Sequence, residues 1–166
     1  MQGSDFCCII LRIDNKQELK DTFGSLKYRG VVTLAAASIE KVITRINGFR
    51  YSDSKFTFII DKTDPEYVRS IIDKIDSILS MKYTFDKTEI NFKISIAAVN
   101  CPAQANNADR LIEMLDYCAS MASKDKKSNV FFCDDDAIRH IGRKKEITEI
   151  LKRELNSENN NFEIFY

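Results

Sequence analysis

The sequence has no net charge and no long hydrophobic run. Its 166 residues include 25 Lys and Arg against 25 Asp and Glu, so no global basic field would attract nucleic acid or an anionic membrane. The apolar runs are strand-sized, and no charged N-terminal stretch precedes a longer one, which argues against a membrane span and a signal peptide. We therefore expect a soluble cytoplasmic protein with no nucleic-acid partner and no membrane contact within this chain.

Metal-ligand patterns are also scarce. The single histidine, His140, lies in a charged predicted helix, where a surface position is expected. The cysteines are odd in number, lie in apolar runs and lack paired spacing: Cys7, Cys8, Cys101, Cys118 and Cys133. This usage is typical of reduced, buried thiols rather than disulfides or metal ligands. The sequence predicts no metal site and no cofactor.

The stretch from Phe49 to Ile60 is the centre of the chain's organisation. Two short apolar runs flank the polar turn Ser52-Asp53-Ser54-Lys55, which predicts a tight β-hairpin. We expect the helix before it to end at Asn47-Gly48. Asp64-Pro65 predicts the start of the helix after it.

The remaining segments complete an alternating order of strands and helices. An apolar first strand, 6–13, leads to a cap signal at Asp14-Asn15, and a short helix breaks at Gly24 before a longer one begins. Residues 82–85 and 90–99 suggest a strand pair, the second strand having one apolar and one more polar face. A helix follows, with seven residues predicted to face inward, and residues 130–133 form the closing strand; the seven are Ala108, Leu111, Ile112, Leu115, Cys118, Ala119 and Ala122. The order predicts an α/β (α+β) fold with a ferredoxin-like βαββαβ core, an extra strand and an extra helix, the palm layout of nucleotide cyclases.

Five separated segments resemble the diguanylate cyclase (GGDEF-type) domain, in the family's order. The hairpin from Arg50 to Phe56 resembles the signature Arg-x-Gly-Gly-Asp/Glu-Glu-Phe, of which the Arg and the Phe are kept. The other four segments are similar to the family's first strand, first helix, Val-Ser-Ile-Gly strand and last helix, and they are Leu11 to Asp14, Leu19 to Gly24, Ile94 to Ala97 and Leu115 to Ser128. The resemblance covers residues 6 to 133.

The resemblance implies a site without its metal ligands. Family members hold two divalent ions with a first-strand Asp and the acidic third residue of the signature, and Arg12 and Ser54 stand there. Because Mg²⁺ prefers carboxylate oxygen, a guanidinium would repel it. Lys55 replaces the signature Glu, and Ser52-Asp53 replaces the two glycines. No catalytic residue is predicted.

The positions left to contact a nucleotide are Asp14, Lys20, Arg29 and Lys127. Lys20 and Arg29 stand where the family reads guanine, and both are donors only. Simpler interpretations stay open: Asp14 as a helix N-cap, Asp53 as a turn former, and Arg12 and Lys55 paired with neighbours such as Asp14 and Asp53.

The tail predicts a connector. Asp134 to Asp136 cap a helix, and four apolar residues continue at helical spacing, namely Ile147, Ile150, Leu151 and Leu155. After a polar break at 157–161, Phe162 to Tyr166 resembles the first strand of a cyclic-di-GMP phosphodiesterase (EAL-type) domain. We therefore divide the chain into a cyclase-like domain, 1–133, and a connector with the start of a downstream domain, 134–166.

Three functions remain as hypotheses. The first is a non-catalytic regulatory or dimerising module that tunes a downstream phosphodiesterase-like domain. The second is a nucleotide- or anion-binding module that uses five cations: Arg12, Lys20, Arg29, Lys55 and Lys127. The third is a diguanylate cyclase with altered metal ligation. The expected partners are the downstream domain, a second copy of the chain and a weakly bound nucleotide.

Overall fold

A computed structural model describes residues 5–43 and 46–155. These residues form two compact units that divide between Cys133 and Asp134. The predicted strand at 162–166 and the polar break at 157–161 lie outside the described residues.

The first unit is built on a mixed five-stranded sheet. Its strands are β1 (Phe6–Ile13), β2 (Asn47–Arg50), β3 (Lys55–Ile60), β6 (Ile94–Cys101) and β7 (Val130–Phe132). The strand order is β2-β3-β1-β6-β7, antiparallel except for the parallel pair β6 and β7. The first four of these strands have the order of a ferredoxin-like βαββαβ core, and β7 is the extra strand. The predicted fold class is confirmed.

The described part of this unit contains three helices: α1 (Lys16–Val42), α2 (Pro65–Leu79) and α3 (Ala108–Lys124). α1 is kinked at Gly24, whose φ of 74° is accessible to glycine at little cost, so the predicted break is confirmed. Asp64 accepts a hydrogen bond from the Tyr67 amide at 2.8 Å and caps α2, with Pro65 in the first turn. Asn107 caps α3 in the same way through the Arg110 amide.

The core lies between one face of the sheet and helices α1 and α2. It contains Ile9 and Leu11 of β1, Phe58 of β3, Val32 of α1 and Ile72 of α2, all buried. The five cysteines are buried and free, as predicted. Burial is the main cause that raises the pKa of the Cys7 and Cys8 thiols to about 12.

Three sequence predictions about the helix before the hairpin and the later strands were wrong. Asn47 and Gly48 do not end a helix: α1 stops at Val42, and both residues pair with β3. The predicted strand 90–99 is divided, because Ile90 belongs to β5 (Thr88–Ile90), which pairs with β4 (Tyr83–Phe85) in a separate two-stranded sheet. β6 also has no polar face, since Ser95, Ala97 and Val99 are fully buried.

The inward face of α3 was also predicted only in part. Leu115, Cys118, Ala119 and Ala122 are buried as expected, but Ile112 is 41% exposed and Met114 is buried in its place. Ala108 is exposed as well. The first turns of α3 therefore reach beyond the core.

The second unit contains α4 (Asp135–Leu155). Asp134 caps it by accepting from the Ala137 amide at 2.8 Å. The helix continues through Gly142, and His140 lies on its exposed surface, as expected. Within the described residues, no helix has the length and apolarity needed to cross a bilayer.

Candidate functional site

The candidate site lies where β1 ends and β3 begins. Arg12 on β1 stands directly opposite Lys55 on one side and Ser95 on the other. The Ile13 amide donates to the Ser54 carbonyl at 2.8 Å, which joins the strand end to the hairpin turn. The fold thus brings Arg12 together with the Ser52 to Phe56 segment, although nearly forty residues separate them in sequence.

Asp14 is held by two side chains. The Arg12 Nε donates to one carboxylate oxygen at 2.7 Å, and the Ser95 hydroxyl donates to the other. The interpretation of Asp14 as a helix N-cap was wrong, whereas its pairing with Arg12 is confirmed. Asn15 occupies the cap position without capping, because its side chain bonds the Asn91 carbonyl and the Lys93 amide. Both backbone groups belong to the segment between β5 (Thr88–Ile90) and β6, where the Asn15 side chain serves as their hydrogen-bond partner.

Asp53 ties the hairpin turn to α1. Its two carboxylate oxygens accept from Lys16 at 2.8 Å and from Lys20 at 2.9 Å. These hydrogen bonds, first from Lys16 and then from Lys20, lower the pKa of the Asp53 carboxyl below its ordinary value. The turn-former interpretation therefore describes only part of the role of Asp53.

Tyr28 provides a second tie between α1 and the turn. Its hydroxyl donates to the Asp53 carbonyl at 2.9 Å, and the ammonium of Lys20 lies 5.1 Å from its ring centre. Burial, and then the negative charge of Asp53, raise the pKa of the Tyr28 phenol to about 12. No sequence pattern identifies Tyr28, since its partner is a backbone oxygen.

Lys55 pairs with Asp116 of α3 at 2.6 Å, not with Asp53 as considered from the sequence. The two residues are 61 positions apart. The Lys55 ammonium also lies 5.6 Å from the ring centre of Tyr51. Three of the five candidate cations are therefore engaged by carboxylates.

The remaining two candidates take part in none of these three ion pairs. Arg29 is exposed on α1, and Lys127 is exposed in the loop between α3 and β7, where its backbone amide donates to Asp125. Within residues 5–43 and 46–155, no group of three or more His, Cys, Asp or Glu side chains is placed to bind a metal ion. A cavity of about 410 Å³ does lie beside the hairpin, between β2, β3 and α1, and Arg50 and Phe56 line it.

Sequence reasoning missed Lys16, Tyr28, Ser95 and Asp116. Lys16 had a weak signal, because it lies one helical turn before Lys20 and shares its face. The other three are recognised only once the sheet order is known.

Comparison with known proteins decides the family. The sequence matches the family described as diguanylate cyclase, GGDEF domain, over residues 1–129. The chain belongs to the GGDEF family. It is thus a diguanylate cyclase-like domain of cyclic-di-GMP signalling. A sequence search of curated proteins gives no match.

Solved GGDEF domains share its fold. An EAL/GGDEF domain protein from M. capsulatus superposes with a TM-score of 0.71 at 20% identity, over 80% of this chain and 87% of the other. The GGDEF domain of YfiN from Pseudomonas aeruginosa has a TM-score of 0.71 at 14% identity, over 79% and 83%. The GGDEF domain of DgcB from Caulobacter crescentus, solved with c-di-GMP, has a TM-score of 0.66 at 16% identity, over 77% and 77%. At such identities the likeness establishes the palm fold of this GGDEF domain.

Proposed function

We propose that this GGDEF domain is a non-catalytic regulatory module of cyclic-di-GMP signalling, located in the cytoplasm. The observation that carries the proposal is the pairing of the acidic groups at the hairpin. Asp14 is held by Arg12, and Asp53 is held by Lys16 and Lys20. A divalent ion would have to displace protein cations from both carboxylates.

The residues at the family's metal positions support the same conclusion. Arg12 and Ser54 stand where the resemblance places two acidic ligands, and Lys55 stands where it places the signature Glu. Joining two GTP molecules needs metal ions that neutralise the triphosphates, and hard cations bind oxygen ligands. A guanidinium and an ammonium provide none. We therefore propose that the cyclase site of this domain is degenerate.

The test is a cyclase assay on the purified chain with GTP and either Mg²⁺ or Mn²⁺. We expect no cyclic di-GMP by chromatography above a no-protein control, because no acidic metal clamp remains. An active GGDEF domain assayed in parallel establishes that product would be detected. Cyclic di-GMP formed by this chain, and abolished when EDTA removes the divalent ion, would show an altered but working metal site.

Residual nucleotide affinity at Asp14, Lys20, Arg29 and Lys127 is expected to be weak. Two of these residues are already committed to ion pairs, Asp14 with Arg12 and Lys20 with Asp53. Binding a triphosphate there would break the Lys20 pair and bring phosphate oxygens close to the Asp53 carboxylate, and like charges repel.

The regulatory part of the proposal concerns α4. Its stripe of Ile147, Ile150, Leu151 and Leu155 is 42% to 63% exposed, which is unusual for four apolar side chains on one helix face. Burying them would contribute on the order of 6 kcal/mol. Because the tail resembles the start of an EAL-type domain, we propose that α4 leads to a phosphodiesterase-like domain whose activity it tunes.

That part has its own test in the protein that carries the downstream domain. Ile147→Asp or Leu151→Asp should change the phosphodiesterase activity of that domain, because each substitution alters how α4 packs. Leu26→Asp, at a position 83% exposed on α1, is the matched control and should leave it unchanged. If both stripe variants keep the phosphodiesterase activity of the parent protein, α4 is only a passive linker.

A further inference from the structure

The sheet face opposite the core is covered only in part. α3 packs against β1, β6 and β7, and beside it the outward side chains of β2 and β3 remain open. This leaves an apolar groove of about 400 Å³, defined by Ile10, Phe49, Ile59, Leu111, Ile112 and Leu115. Phe49 opposes Thr57 across the β2–β3 pair, which places it on the groove face.

The groove carries exposed apolar side chains on both walls. Phe49 is 57% exposed and Ile59 38% exposed on the strand side, and Ile112 is 41% exposed on the helix side. A soluble domain rarely leaves so many neighbouring apolar groups in water without a partner. Sequence periodicity had assigned Ile112 to the core, but the residue lies on the helix wall of this groove.

The chain also carries a surface of the matching kind. The α4 stripe spaces its four anchors at i, i+3, i+4 and i+8, which is the pattern that an amphipathic helix presents to an apolar groove. All four anchors are exposed within a single copy.

The charges beside the two surfaces are complementary. On α3, Asp109 and Glu113 form the row next to Ile112, and both are exposed, with Glu113 also 3.5 Å from the Arg110 guanidinium. On α4, Lys144 and Lys152 lie in the row next to Leu151, because each row repeats every four residues. An α4 helix in the groove can therefore set its basic row against the acidic row of α3.

We propose that two copies of this chain form a reciprocal dimer in which α4 of each copy lies in the apolar groove of the other. Each copy contributes one groove and one stripe, so a reciprocal pair covers both grooves and both stripes. The proposal is independent of the missing catalytic residues, and a working cyclase site would not affect it.

The test is the oligomeric state of the full chain by analytical ultracentrifugation over a wide concentration range. The groove variant is Ile112→Asp, the stripe variant is Ile147→Asp with Leu151→Asp, and Leu26→Asp is the control for adding a charge at an exposed apolar site. We expect dimers for wild type and control, and a dimer dissociation constant raised about tenfold or more in the other two. Phe49→Ser replaces Ile112→Asp if circular dichroism shows that the latter does not fold.

A mixing experiment identifies which surfaces meet. The groove variant keeps an intact stripe, and the stripe variant keeps an intact groove. An equimolar mixture should therefore dimerise at concentrations at which each variant alone is monomeric. A monomeric wild type would overturn the proposal. So would a groove variant that dimerises like wild type while the stripe variant does not, because α4 would then pair with α4.

Discussion

Arg12 and Lys55 lie directly opposite each other on neighbouring antiparallel strands, two cations in a position where like charges repel. Each is offset by its own carboxylate, Asp14 at 2.7 Å and Asp116 at 2.6 Å. Four charges at the hairpin end of the sheet therefore form two ion pairs. A bound divalent cation would add positive charge beside Arg12 and Lys55, and it would compete with them for the same oxygens.

Added Mg²⁺ should leave the melting temperature of the chain unchanged. A ligand that binds the folded state raises the midpoint of unfolding, and a metal repelled by Arg12 does not bind. The matched variant is Arg12→Asp with Ser54→Asp, which puts carboxylates at the two positions where the resemblance places metal ligands and should show a saturable rise. The measurement is thermal unfolding by circular dichroism over a Mg²⁺ titration, and a saturable rise in wild type would contradict the proposed loss of metal binding.

Asp53→Asn should lower the free energy of unfolding at neutral pH by up to about 1 kcal/mol, since the side chain is 40% exposed and its ion pairs are screened by solvent. The lowered pKa means that the folded protein binds fewer protons than the unfolded chain near the ordinary value of 3.8. The contribution is therefore present above that value and is lost as the pH falls through the folded pKa.

The pH dependence separates this effect from simple damage. Urea unfolding of wild type and Asp53→Asn should differ at neutral pH and converge in acid. Asp73→Asn, at an exposed position on α2, is the control and should track wild type throughout. A difference between wild type and Asp53→Asn that is constant with pH would show that the Lys16 and Lys20 bonds do not depend on the carboxylate charge.

Gly30→Ala should destabilise the chain by about 1 kcal/mol, the net of overpacking and improved helix propensity. A Cβ at this position would lie 2.6 Å from the Cζ of Phe85, whose ring is held edge-on to Phe23. Gly142→Ala is the comparison, because nothing lies within 4 Å of its added Cβ, and it should stabilise α4 by about 0.5–1 kcal/mol. If Gly30→Ala and wild type unfold at the same temperature, the β4–β5 hairpin shifts away from α1 at little cost in free energy.

The sequence by itself determined the elements whose signals are local. Asp64 and Pro65 start α2 and Gly24 kinks α1, because a cap or a positive φ depends on residues within one turn. The apolar run of β1 and the turn at Ser52 to Lys55 determined a central strand and a hairpin for the same reason. The order of these elements was enough to predict the ferredoxin-like core.

Only the tertiary structure decided which groups meet. Asn47 and Gly48 are strand residues because they pair with the edge of β3, and Ile90 lies outside β6 because it pairs with Tyr83 of β4. Asp53 pairs with Lys16 and Lys20, more than thirty residues away in sequence, and Lys55 pairs with Asp116, 61 residues away. A charge has no sequence periodicity that identifies its partner, so the pairing follows from the strand order, which places the ends of β1 and β3 beside α1 and α3.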